Sequence, residues 1–166
     1  MNYESTMKKY EELLMSMRKV IRAIGLYSKK LNKDSGLTSP QLFVLQNIAV
    51  HDGVMVKEIA SSINLSSATV TSILDRLEVK NLVIRERSTV DKRKVGLHLT
   101  EAGIKTLETA PKPLQEHFID RFEKLEEWEQ TQLVATMQRI ATMMDAEDLD
   151  AAPMLEVGAI ETSPKA

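Results

Sequence analysis

Between Ile63 and Glu78 the chain reads INLSSATVTSILDRLE. Val70, Ile73, Leu74 and Leu77 recur there at intervals of three and four, the spacing of an amphipathic helix with one buried stripe. Ser66, Ser67, Thr69, Thr71 and Ser72 put five hydroxyls into the seven positions 66–72, an odd choice for an ordinary surface helix because Ser and Thr are poor helix formers. One of them has a local use. Ser66 is placed to cap the helix by accepting from a free amide of its first turn, with Leu65 as a hydrophobic staple onto Val70. The others are spread over the faces the apolar stripe leaves free, so some of them must look outward.

The neighbouring segments give those hydroxyls a purpose. Upstream, a short helical run from Val56 to Ile63 carries Ile59, Ala60 and Ile63, and Asn64-Leu65 makes a tight turn into the next helix. Downstream, NLVIRERS and KVGLHLT are separated by TVDKR; their β-branched and alternating residues predict paired strands over 82–87 and 94–99. The connecting loop holds Asp91, Lys92 and Arg93 beside Lys94. Two helices joined by a turn of about four residues and followed by a basic hairpin form a winged helix-turn-helix, whose second helix enters the major groove of DNA. Short hydroxyl side chains on such a helix bond to bases and phosphates without holding the backbone away. Hydroxyls near a helix start are commonly just capping groups, and charged turns are common too; their conjunction in this order carries the reading.

The flanks read as helices. Leu13, Leu14, Met17, Val20, Ile21 and Ile24 predict an amphipathic helix over about residues 3–31, which NKDSGLTSPQ breaks. Ser39 before Pro40 signals a new helix with Pro at its first position and a stripe of Leu42, Leu45, Ile48 and Ala49, ended by HDGV. Thr100 caps a helix beginning EAGIKTLE, and Pro111 and Pro113 kink or interrupt the helical pattern before Leu114, Phe118, Phe122 and Leu125 carry it on. A last helix from about residue 129 aligns Leu133, Met137, Ile140 and Met144, and no regular element is expected beyond 145. The predicted fold is mainly α with a small β-hairpin wing: a winged helix-turn-helix over 38–100 between dimerisation helices at 1–37 and 101–145, with an acidic tail at 146–166. The terminal helices carry apolar faces that one winged domain cannot cover, and a two-fold partner would bury them.

Composition narrows the function classes. With no cysteine, a disulfide framework, a thiol redox sensor and a thiolate metal site are excluded. His51, His98 and His117 lack metal-ligand spacing, so neither metal nor cofactor is expected. There is no Gly-rich phosphate loop and no elbow around a serine, which argues against an enzyme. An apolar run long enough to span a bilayer and a secretory signal are both absent, so a cytoplasmic protein without membrane contact is expected. The formal charge of −2 conceals an asymmetry: residues 1–94 hold 16 Lys and Arg against 10 Asp and Glu, whereas residues 95–166 hold 6 against 14.

The run LTSPQLFVLQNIA followed by KEIASSINLSSATVTSILDRLEVKNLVIRERSTVDKRKVGLHLTEAG resembles the MarR family of transcriptional regulators, most specifically at Asp91-Lys92-Arg93 with Leu99-Thr100 and Gly103 after it. The resemblance implies a homodimer whose two winged domains bind a pseudo-palindromic operator in double-stranded DNA, read here as a repressor. It implies that Arg93 enters the minor groove with Asp91 fixing its guanidinium. Ser66, Ser67, Ala68, Thr69, Thr71 and Ser72 then belong to the DNA-facing helix, with Arg76 reaching a base or phosphate or pairing with Asp75 or Glu78. Arg85, Arg87, Lys92 and Lys94 become wing or phosphate contacts, and Ser39 with Pro40 sets a helix end at a phosphate. PKPLQEHFIDRFEKLEEWEQ and LDAAPMLEVGAI resemble a subgroup controlling ectoine and other compatible-solute genes, which suggests a small-molecule or ionic effector. Tyr27, Phe43, His51 and His98 are candidates to line a sensor cleft, although aromatic residues at helical spacing are more often core. The rival reading is a winged-helix protein-interaction module without DNA binding.

Overall fold

The computed structural model describes residues 8–89, 91, 93–149, 154 and 155. In chain order its elements are α1 (Lys9–Ser35), α2 (Ser39–Val50), α3 (Val56–Ser62), α4 (Ser67–Val79), β1 (Val83–Arg87), β2 (Val95–Leu99), α5 (Glu101–Thr109), α6 (Leu114–Phe122) and α7 (Glu127–Met143). The mainly helical class with a two-stranded wing is the one expected from the sequence.

Several boundaries differ for identifiable reasons. α1 continues to Ser35 because Lys30 and Asp34 pair one turn apart at 2.8 Å and Ser35 Oγ donates to the Leu31 carbonyl at 2.7 Å. Gly36 then ends it in the left-handed conformation (φ +69°), its N–H bonded to the Asn32 carbonyl at 2.8 Å. The cap of α2 is Thr38 rather than Ser39, its N–H donating to Gln41 Oε1 at 3.2 Å, so Pro40 sits one position further in than expected. Pro111 and Pro113 break the helix outright, separating α5 from α6; Leu125 falls in the following turn and Met144 just past the end of α7. The expected start of the first helix at residue 3 and most of the acidic tail lie outside the described residues.

Leu31, Leu37, Leu42, Leu45, Ile48, Ile59, Val70, Leu74, Leu77, Val83 and Leu97 form one buried cluster. α2 lies at its centre, packed against α3, α4, α5 and β2. The hairpin pairs antiparallel with Val83 opposite Leu99, Arg85 opposite Leu97 and Arg87 opposite Val95. A third segment joins it: Gly53 N–H donates to the Leu97 carbonyl at 2.9 Å and Leu97 N–H to the Val54 carbonyl at 3.0 Å. The loop between α2 and α3 is thereby stitched to β2, and the wing becomes continuous with the helical core. Among the described residues no helix is long and apolar enough to cross a membrane.

Candidate nucleic-acid interface

α4 is positioned by its entry turn. Asn64 takes φ +48°, and Ser66 Oγ accepts from Thr69 N–H at 3.0 Å, so the cap expected at Ser66 is present. Val70, Ile73, Leu74 and Leu77 point into the core, while Ser67, Ala68, Thr71, Asp75 and Arg76 are exposed. Thr71 Oγ1 donates back to the Ser67 carbonyl at 2.7 Å, leaving its lone pairs available.

Four residues grouped with these from the sequence are placed otherwise. Thr69 and Ser72 are 6% and 8% exposed, and Thr69 Oγ1 lies 2.8 Å from Ser66 Oγ. The buried arc of α4 is wider than its apolar stripe because the helix packs on both α2 and α3, and these two small polar residues lie within it. Ser39 is 3% exposed and its Oγ has no hydrogen-bond partner, so its side chain is turned into the protein rather than toward solvent. Arg85 is held by Asp75 and Glu78 of α4 instead of projecting toward solvent. Ser66 is exposed, but its oxygen is committed to the cap.

The wing loop is shaped by Asp91. Its carboxylate Oδ1 accepts from Arg93 N–H at 3.1 Å and lies 3.5 Å from Arg93 Nε; its own N–H donates to Ser88 Oγ at 3.1 Å. Ser88 N–H to Lys94 carbonyl and Lys94 N–H to Asp91 carbonyl, each 2.9 Å, close the turn. Asp91 therefore organises the backbone more tightly than it holds the guanidinium, and the Arg93 side chain is 94% exposed. Arg87 and Lys94 are exposed along the same hairpin; Lys92 lies outside the described residues. With Ser88, Thr89 and His98 these two cations border an open cleft of about 520 Å³ that also includes Glu58 and Glu86.

Two polar ties escaped sequence reasoning because they join distant positions. His98 Nδ1 lies 2.8 Å from Asp52 Oδ1, linking β2 to the α2–α3 loop. Lys80 Nζ donates to the Gly36 carbonyl and, at 3.3 Å, to Gln41 Oε1, linking the end of α4 to the start of α2. Of the candidate cleft residues, Tyr27 and Phe43 pack against the core, and His51 is an exposed residue ending α2. A groove of about 530 Å³ between α2 and α5 is lined by Ile48, Ala49, Asp52, Leu99, Ile104, Leu107 and Glu108.

This arrangement of helix pair, stitched hairpin and exposed cationic loop defines a winged helix-turn-helix protein. Comparison with known proteins points to the type: residues 37–95 match the MarR family. The HTH-type transcriptional regulator MgrA of Staphylococcus aureus is 38% identical over 92 residues, covering 55% of this chain and 63% of MgrA. The HTH-type transcriptional repressor MdtR of Bacillus subtilis is 34% identical over 92 residues, covering 55% of this chain and 59% of MdtR. The chain thus spans less than two thirds of the length of these curated relatives. Among solved structures, the S. aureus MepR–DNA complex superposes with a TM-score of 0.57 at 23% identity, covering 82% of this chain and 96% of that one. YusO from B. subtilis gives 0.52 at 28% identity, covering 86% and 99%. The motifs read between Leu37 and Gly103 overlap this match over residues 37–95.

Proposed function

We propose that the chain is a sequence-specific transcriptional regulator that binds double-stranded DNA as a homodimer, acting as a repressor on a pseudo-palindromic operator. The observation that carries this reading is the exposure, on adjacent elements, of the Ser67–Thr71 face of α4 and the Arg93 loop. A helix with short hydroxyls reads base edges and phosphates in the major groove, and an exposed guanidinium suits the concentrated negative potential of a narrow minor groove. The similarity to MgrA and MdtR, named as a transcriptional regulator and a repressor, supports the same class. Arg93→Ala is expected to weaken operator binding by about 1–3 kcal/mol in a mobility-shift titration with genomic fragments. An unchanged affinity would favour a protein-interaction module.

The dimer is inferred from unpartnered apolar surface. Leu13, Leu14, Val20 and Ile21 of α1, Phe118 and Ile119 of α6, and Leu133, Val134 and Met137 of α7 are all exposed in the single chain. Scattered exposed apolar residues are ordinary, but such residues along three helices mark an interface. A second copy joined through these helices sets two α4 helices about one DNA turn apart. Sedimentation equilibrium at micromolar concentration is expected to return twice the mass of 18.7 kDa; a monomer would remove the basis for a palindromic operator.

The likeness of the C-terminal segments to regulators of compatible-solute genes motivates a further hypothesis, that ionic strength itself relieves repression. Phosphate-driven binding weakens steeply with salt because counterions are released on association. The logarithm of operator affinity is expected to fall linearly with the logarithm of salt concentration; a specific complex indifferent to salt across the physiological range would discard the idea.

A further inference from the structure

Arg85 has the appearance of a phosphate ligand in the sequence and a different setting in the fold. It shares its strand face with the buried Val83, two residues earlier, so it is aimed toward the body of the domain. Its Nη2 lies 2.8 Å from Asp75 Oδ1 and its Nη1 bonds Glu78 Oε2, leaving the side chain 28% exposed. Both carboxylates belong to α4, one turn apart and just beyond Thr71. Across the ladder Arg85 is opposite Leu97, the fully buried residue of β2 that also receives the α2–α3 loop. Two carboxylates around one guanidinium leave a local excess of negative charge, which disfavours a phosphate there. A planar fork engaged at two points constrains direction as well as distance, which a lysine ammonium would not.

We propose that Arg85 is a positioning residue: by gripping Asp75 and Glu78 it sets the angle between α4 and the hairpin, so that the Thr71 face and Arg93 meet one duplex together. The inference rests on the DNA-binding reading above, and its test separates the two. Partly exposed ion pairs add little stability, so the contribution of this cluster is to geometry.

Operator and nonspecific duplex affinities are measured against salt for the unaltered 166-residue chain, for Arg85→Gln, for Arg85→Lys, and for Asp75→Asn combined with Glu78→Gln. Arg85→Gln is expected to lower operator affinity about tenfold while nonspecific affinity and the salt slope stay unchanged, because loss of one phosphate contact would reduce the slope by about 1. Arg85→Lys does not restore the loss, and the double carboxylate variant reproduces the reduced ratio of operator to nonspecific affinity although Arg85 is intact. A slope reduced by one with both affinities lowered overturns the proposal in favour of a phosphate contact. A lower melting temperature with unchanged operator affinity overturns it in favour of a merely structural pair. Because the chain has no cysteine, spin labels introduced as Ala68→Cys and Thr89→Cys report the α4–wing distance without DNA, in chains diluted with unlabelled protein. Arg85→Gln is expected to broaden that distribution; an unchanged width overturns the proposal even if no duplex is bound, whereas failure of the unaltered chain to bind any duplex would count against the regulator reading alone.

Discussion

Replacing Thr71 with Glu is expected to abolish operator recognition, raising the dissociation constant at least a hundredfold, equivalent to about 3 kcal/mol. Thr71 is exposed in the middle of the face of α4 that also presents Ser67, Ala68 and Asp75. A carboxylate there meets phosphates and base acceptors of its own sign, and like-charge juxtaposition at an interface costs several kcal/mol. Folding should not suffer, since Glu is a better helix former than Thr and the site is solvated. Fluorescence anisotropy with labelled operator measures the loss, and thermal unfolding monitored by circular dichroism should show no loss of stability. Operator affinity within threefold of the original chain would mean that this face does not lie against DNA.

Gly103→Ala is expected to destabilise the fold by about 3 kcal/mol, lowering the melting temperature by roughly 6–12 °C. A Cβ built on Gly103 would stand 2.1 Å from the Leu82 carbonyl oxygen and 3.0 Å from its carbon. Those are backbone atoms, and the same oxygen accepts from Thr100 N–H at 3.1 Å, so it cannot move without loosening the start of α5. In an unconstrained helix interior the substitution would be stabilising by up to about 1 kcal/mol, which makes the sign of the result diagnostic. Thermal unfolding of the 166-residue chain decides it: a variant melting at or above the original temperature would show that α5 can back away from the α4–β1 junction at little cost.

Much of the architecture is legible in residue order. The cap at Ser66, the stripe of Val70, Ile73, Leu74 and Leu77, the turn at Asn64 and the cap at Thr100 are local events, decided within a few residues by hydrogen bonds and helical spacing. The candidate interface was less legible. A period of 3.6 locates the middle of a buried stripe but not the width of the arc that neighbours cover, so Thr69 and Ser72 passed for outward-facing residues. A basic residue on a strand has the same composition whether it meets phosphate or carboxylate, so Arg85 passed for a DNA contact. Gly103 belonged to a recognisable pattern, yet the reason for it, the carbonyl of Leu82 where a Cβ would stand, lies 21 residues away in the chain.

By itself, then, the sequence determined the order of elements, the caps of α4 and α5 and the side of α2, α3 and α4 that seeks the core, because these depend on interactions within one or two turns. Only the tertiary structure decided which polar groups remain available to a partner: the burial of Ser39, Thr69 and Ser72, the capture of Arg85 by α4, and the joining of the Gly53–Val54 loop to β2 through Leu97. Each of these is a meeting of separate elements, and the solvent exposure or pairing of a side chain is a property of everything packed around it.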